Sequence, residues 1–400
     1  MNLAWAVAAF ALHSGDCVGF YGDSITEQRL YTTYVEDYVL TRHPSWAVDF
    51  VNAGWASDTV SGGFGGPIDQ RLQRDLLAYH PSVVTVMLGM NDGHRLAWNE
   101  PMATAFEVGY RHLLDVLARQ APAARVTLLQ PSPYDDVTRP VDYPGGYNGV
   151  LLRFGAFVAE QARVRNLGLA DLNGPVTQML TRANASQPEL AKKLIPDRYH
   201  PGAAAHWVMA ASVLERWGAT PWVSKVKLAV VGGRLQAAAA EQAHVTVTGP
   251  LAWTTLEEAL PLPIDRTDEA TRLVLASADV EERLNQEPLH VTGLAPGRYR
   301  LDIDDRPVGT FEAAQFAAGV DLAKRDTPMT RQALQVHALT VAHQGVRFTR
   351  WRGAAVATAD WPSAARDQAL ASLAALDADL VQRQRQAAQP RPHRFVLTPD

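Results

Sequence analysis

Through the first half of the chain, short apolar runs alternate with segments whose apolar residues recur every three to four positions. Residues 17–21 are the first run and predict a buried strand that stops at Gly22. Residues 27–42 follow with Leu30, Tyr34, Val35, Tyr38 and Val39 at helical spacing, and His43-Pro44 ends the element. Residues 46–51 read as a second strand, running into a loop over 52–59 and the glycine-rich stretch 61–66. Pro67 opens a helix with Ile68, Leu72, Leu76 and Leu77 on one side. Residues 83–88 are apolar and rich in β-branched side chains, as a strand covered on both faces should be, and end in Gly89-Met90-Asn91-Asp92. A helix over 102–119, a strand over 125–129, a long loop 130–146 and a helix over 150–164 come next. A strand over 167–171 and helices over 175–183 and 202–217 complete the series. Strands alternating with helices imply a parallel sheet wrapped on both sides, so residues 1–222 are expected to form a three-layer α/β domain.

The pattern changes after Pro221. Short alternating stretches appear at 244–248, 289–292 and 299–303, the last turning through Asp304-Asp305-Arg306-Pro307 into 308–311 as in a hairpin. Helices are expected over 328–343 and 362–386, the second with a stripe of Leu370, Leu373, Leu376, Leu380 and Val381 that reads as core packing. Residues 391–398 read as a tail with one short apolar run. Residues 223–400 are therefore taken as a smaller α+β accessory domain, to which the pattern assigns no function.

Composition adds bounds. A chain of 400 residues with 47% hydrophobic content exceeds one ordinary core, which agrees with two domains. A formal net charge of −5 argues against a nucleic-acid surface, and no apolar stretch is long enough to span a membrane. Residues 1–12 are apolar but lack a basic start and a cleavage site before the first strand. Either there is no signal or the numbering begins after one was removed, the second case placing the protein outside the cytoplasm. The single cysteine, Cys17, excludes an intrachain disulfide and reads as a small buried hydrophobe. Nothing in the pattern sets an oligomeric state.

The candidate chemistry lies where strands end. Ser24 sits on a strand-to-helix turn, exposed at the carboxyl end of the first strand, with its own N–H near a helix start. The competing reading is a helix N-cap, with Glu27 completing a capping box. The Ser57 loop and Asn91 follow the next two strands, and His200 follows the fifth βα unit. In an open parallel sheet these ends share one crevice. Asp197, three residues before His200, is placed to accept from the imidazole N–H. Nucleophile, base, orienting carboxylate and amide donors are the parts that acyl transfer requires. Asn91-Asp92-Gly93 by itself also reads as an ordinary turn. His43, His80 and His94 read as surface or loop histidines. No cluster offers three metal ligands, and neither metal nor cofactor is expected.

The succession Gly22-Asp23-Ser24, the Ser57 loop, Gly89-Met90-Asn91-Asp92 and Asp197-Arg198-Tyr199-His200 resembles the SGNH, or GDSL, hydrolase superfamily over roughly the first 220 residues. The resemblance implies a flavodoxin-like α/β/α fold with a parallel five-stranded sheet and metal-independent ester hydrolysis. It implies Ser24 as nucleophile, His200 as general base and Asp197 as the residue fixing its tautomer. The Ser24 and Ser57 N–H groups and the Asn91 amide would then form the oxyanion hole. The second block departs from the family: its glycine falls at Ser57, with Gly54 three residues early as the fallback donor. A serine there serves if it adopts the required φ and ψ.

The loop 130–146, extending to Tyr147, is expected to hang over the crevice. Trp55, Asp58, Trp98, Tyr134 and Tyr147 are accordingly expected to contact substrate, aromatic faces mixed with carboxylates suiting a sugar better than an acyl chain. The alternative is that these aromatics pack the loop onto its own domain. The function expected is removal of acetyl or other short acyl groups, from carbohydrate. A generalist short-chain esterase or thioesterase, an acyltransferase, and an inactive carbohydrate-binding protein are the alternatives.

Overall fold

A computed structural model of the chain describes residues 10–400. The first nine residues of the apolar segment 1–12, and with them most of the reading of an export signal, lie outside the described residues. The chain packs as two units. The first takes the chain up to Val35, Trp46–Ala219 and Arg266–Val280; the second takes Glu36–Ser45, Thr220–Asp265 and Glu281–Asp400.

In the first unit, β1 (Cys17–Gly22), β2 (Asp49–Gly54), β3 (Val83–Met87), β4 (Arg125–Leu129) and β5 (Gly168–Ala170) make an all-parallel sheet in the order β2-β1-β3-β4-β5. Every residue of β3 is buried, Thr85 included, which accounts for a sequence otherwise apolar. The flanking helices are α1 (Ser24–Glu27), α2 (Leu30–Arg42), α3 (Glu100–Gln120), α4 (Gly146–Val164), α5 (Asn173–Ser186) and α6 (Ala203–Arg216). On α3 the buried face is Phe106, Tyr110, Leu113, Leu114 and Leu117, spaced as one helical stripe. A later helix, α7 (Glu269–Ser277), belongs to this unit and packs on α5 and α6. The strand order reverses beside β1, so a crevice opens at the carboxyl ends of β1 and β3.

Two elements differ from the sequence reading. The strand expected over 46–51 begins at Asp49, because its register pairs Cys17 with Asp49 and Gly22 with Gly54. The helix expected from residue 27 is broken after α1: Arg29 has φ +62, and a left-handed residue does not propagate a right-handed helix. Cys17 is half-buried, with its thiol against the Tyr79 carbonyl, rather than fully enclosed.

The second unit holds a five-stranded antiparallel sheet in the order Ala243–Gly249, Ala252–Glu257, Pro392–Pro399, Arg298–Ile303, Arg306–Glu312. The segment read as a tail is thus an inner strand. Asp304 and Asp305 both take positive φ, as a tight hairpin turn demands. A second sheet contains Lys225–Val231, Arg234–Glu241, Pro288–Thr292 and Val320–Asp321. Trp253, Leu301, Ile303, Phe316 and Phe395 form the middle of its core. The stripe expected to be core on the helix Ala364–Ala387 is not: none of its five residues is buried, and Leu376 is 47% exposed. No helix of the described residues is long and apolar enough to cross a membrane.

Candidate active site

The site is assembled from the loops that follow the strands of the first unit. Asp23, between β1 and α1, has extended backbone and caps α1 with its own carboxylate, which accepts from the Ile25 N–H at 2.9 Å. Capping is therefore done by Asp23, and the Ser24 side chain is released from it. The Ser24 hydroxyl instead meets Nε2 of His200 at 2.7 Å. These residues lie 176 positions apart and are brought together by the sheet topology.

His200 follows a turn built on Asp197. One carboxylate oxygen of Asp197 accepts from the N–H groups of Tyr199 and His200 at 2.9 and 2.8 Å, and the other from Nδ1–H of His200 at 2.5 Å. A carboxylate only accepts, so the ring proton sits on Nδ1 and Nε2 is left to accept from the Ser24 hydroxyl. Burial alone would raise the Asp197 carboxyl, but the bonds from the His200 ring and the two N–H groups outweigh it and hold the carboxyl below its usual range. Such a relay lets a hydroxyl lose its proton as it attacks a carbonyl.

A second set of bonds ties together the loops that carry Ser57 and Asn91 and the turn before Ser24. The Trp55 N–H donates to the Gly22 carbonyl at 3.0 Å, tying the loop after β2 to the turn before Ser24. The Asn91 side-chain amide donates to the Asp58 carbonyl at 2.9 Å, tying the loop after β3 to that same segment. Ser57 takes φ +64, the left-handed conformation that glycine would adopt freely, and is exposed. The N–H of Gly54 is already donated to Oδ1 of Asn52 at 3.0 Å. Gly54 is glycine for another reason: a Cβ there would lie 2.2 Å from the Glu27 nitrogen.

Beneath these loops lie buried carboxyls. Burial pushes Asp23 up to about 7, with Asp92 and Asp58 adding to it, and burial pushes Asp92 up to about 7 although Val60 N–H donates to it at 2.9 Å. Asp58 is fully buried and paired with Arg71 at 2.7 Å.

The residues expected to meet substrate are largely turned inward. Trp55 is buried under the guanidinium groups of Arg71 and Arg74, at 4.9 and 5.0 Å from its ring. The Tyr147 hydroxyl donates to the Met90 carbonyl at 2.6 Å, and Tyr134 lies edge-on between Tyr147 and Tyr199. With Asp58 in its ion pair, these four side chains are turned inward, as in the alternative reading in which the aromatics pack the loop onto its own domain. Trp98 is half-buried against Phe154, with Arg153 over its ring. Sequence reasoning missed Arg198. Its guanidinium donates to Asp136 at 2.7 Å and to the Asp135 carbonyl at 3.1 Å, and its own carbonyl accepts from the Asp135 N–H at 2.9 Å. The loop 130–146 thus buttresses the turn carrying His200. The signal was a basic residue inside the Asp197 to His200 motif, matched by the acidic pair Asp135-Asp136. Among the described residues, no group of three or more His, Cys, Asp or Glu is arranged to hold a metal ion.

No curated protein matches the chain by sequence. The solved structure of BT4096, described as a gut microbial diltiazem-metabolizing enzyme, is similar over 97% of this chain and 98% of its own, with a TM-score of 0.82 at 23% identity, a likeness of fold. Axe2, an acetylxylan esterase from Geobacillus stearothermophilus, aligns with 52% of this chain and 96% of its own at 22% identity and a TM-score of 0.41. LAE5, an alpha/beta hydrolase enzyme from the metagenome of Lake Arreo, Spain, aligns with 52% and 98% at 24% identity and a TM-score of 0.42. Residues 20–208, the span that contains Ser24, Ser57, Asn91, Asp197 and His200, match the model of the GDSL-like Lipase/Acylhydrolase family.

Proposed function

We propose that the protein hydrolyses carboxylic esters with Ser24 as nucleophile, removing acetyl or other short acyl groups, and that acylated carbohydrate is its substrate class. The observation that carries this reading is the unbroken line from Asp197 through His200 to the Ser24 hydroxyl. Nε2 of His200 takes the hydroxyl proton as Ser24 Oγ bonds to the carbonyl carbon. The carbonyl oxygen gains the negative charge and is met by the N–H groups of Ser24 and Ser57 and by the Asn91 amide. The alcohol leaves with the proton from His200, and water repeats the sequence to release the acid and restore Ser24. The left-handed backbone of Ser57, and the engagement of Gly54 elsewhere, favour Ser57 as the second-block donor. Residues 1–222 supply every group used here, and 223–400 are assigned an accessory part.

A hydroxyl-rich alcohol suits the side chains beside the reacting pair. Glu27, on the same short helix as Ser24, and Arg95, over the ring of Tyr199, are charged and at least partly exposed. The burial of Trp55, Tyr134 and Tyr147 favours a second reading, a generalist short-acyl esterase or thioesterase, because it removes the faces on which a sugar would stack.

Acetate release from acetylated xylan and peracetylated sugars, set against p-nitrophenyl esters of increasing chain length, separates the two readings. Ser24-dependent release favouring the acetylated sugars is expected. Activity confined to simple esters selects the generalist. Hydrolysis undiminished in Ser24→Ala, expected instead to lose on the order of 10⁶-fold in kcat, defeats both.

A further inference from the structure

One fully buried histidine of the first unit has no part in the chemistry above. His206 lies in the first turn of α6, stacked on Tyr31 with ring centroids 5.9 Å apart and planes within 13°. Its Nδ1 accepts from the Tyr31 backbone N–H at 3.1 Å. A backbone N–H only donates, so the ring proton is on Nε2, and that N–H donates to Oε1 of Gln28 at 3.2 Å. With its oxygen held in this way, the Gln28 amide has one orientation. Its nitrogen donates to the carbonyl of Pro201, the residue after His200, at 3.4 Å.

The other end of this connection reaches Ser24. Gln28 is where α1 stops, just before Arg29 turns left-handed, and its backbone N–H donates to the Ser24 carbonyl at 3.0 Å. A second route therefore runs from Ser24 through Gln28 and Pro201 to His200, parallel to the bond between the Ser24 hydroxyl and the imidazole. α1 is only four residues long, and His200 rides on a loop, so neither element alone holds the two side chains at a set distance. Burial pushes the His206 ring down to about 3. The ring stays neutral and keeps one tautomer through the working pH range, and it adds no positive charge to oppose the one His200 gains.

We infer that Gln28, its amide oriented by His206, is a positioning residue that sets the separation between His200 and Ser24. The inference rests on the reading of Ser24 and His200 as the reacting pair. A misplacement on the order of 1 Å in such a pair costs up to about 10²-fold in rate without touching the groups that bind substrate.

The test is steady-state hydrolysis of p-nitrophenyl acetate by the full chain as wild type, Gln28→Met, Gln28→Glu and Ser24→Ala. Gln28→Met keeps the length and removes both polar contacts. Gln28→Glu keeps an acceptor for His206 but sets an oxygen against the Pro201 carbonyl, and it carries the test alone should Gln28→Met not fold. Both are expected to lower kcat by on the order of 10-fold with KM within about twofold of wild type. A kcat within about twofold of wild type, or a raised KM with kcat kept, overturns the inference. Undiminished activity in Ser24→Ala strikes the reading of the site itself, a different failure from an unchanged Gln28 variant.

Discussion

Asp23→Asn separates the capping duty of this side chain from its charge. The asparagine keeps an oxygen for the Ile25 N–H, so the cap on α1 survives while the ionisable group is lost. Asp23 is 1% exposed, and burial raises its carboxyl from 3.8 to about 7 in the folded protein. Below about pH 4 it is protonated in both states and costs nothing. As pH rises from there the unfolded chain releases the proton and the folded one does not, so stability falls until pH passes about 7 and is level above. A gap of about three pH units at ~1.4 kcal/mol each makes the loss about 4 kcal/mol. The assay is hydrogen exchange of peptides covering β1 in rising urea at pH 4 to 8, which confines the readout to the first unit. The wild type is expected to lose about 4 kcal/mol relative to Asp23→Asn between pH 4 and 7. Stability curves that run parallel within about 1 kcal/mol across that window would refute the argument.

Three further outcomes follow from the site and the second unit. Asn91→Ala is expected to lower kcat by on the order of 10²–10³ with KM little changed, since in the proposed mechanism the amide acts on charge that appears only in the transition state; a rise in KM alone removes that role. Ser57→Gly should keep kcat within about twofold while relieving the ~1 kcal/mol cost of a side chain at φ +64. Ser57→Val, β-branched at the same φ, should lose activity, and equal rates for the two variants would count against the backbone argument. In the second unit, His343 is buried between Glu36 and Asp377, at 2.7 and 3.1 Å; burial opposes its charge, but those carboxylates prevail and raise it to about 9. Its contribution is complete below pH 6.5 and is lost as pH rises through 9, on the order of 3 kcal/mol. Alkaline unfolding of His343→Gln should lack that step.

What was legible in the sequence was what topology enforces. The carboxyl ends of successive parallel strands meet, and that alone brings Ser24, the Ser57 loop and Asn91 together. Asp197 and His200 were legible because a three-residue spacing on a turn allows one carboxylate to hold both the backbone and the ring. The inward turn of Tyr134 and Tyr147 was not legible. An aromatic residue in a loop has the same drive to be buried as one in a helix, and composition does not say which side of the loop faces the core. The break at Arg29 was hidden because an arginine at positive φ leaves no mark in an apolar pattern. The stripe on Ala364–Ala387 failed for the opposite reason. Leucines at helical spacing state which face is apolar, not what covers it.

The division of the chain has a consequence for its synthesis. The second unit draws on Glu36–Ser45 as well as on the strand Pro392–Pro399. Glu36 is 3% exposed and receives hydrogen bonds from His343, Gln344 and Gln384, the last 348 residues away. A carboxylate made early thus waits for partners made almost at the end, and the closing of that unit is a contact of very high sequence separation. A scissile point near residue 222 does not divide the polypeptide into two self-sufficient pieces, because the leading fragment would carry Glu36 while His343, Gln344 and Gln384, which donate to it, lie in the trailing one.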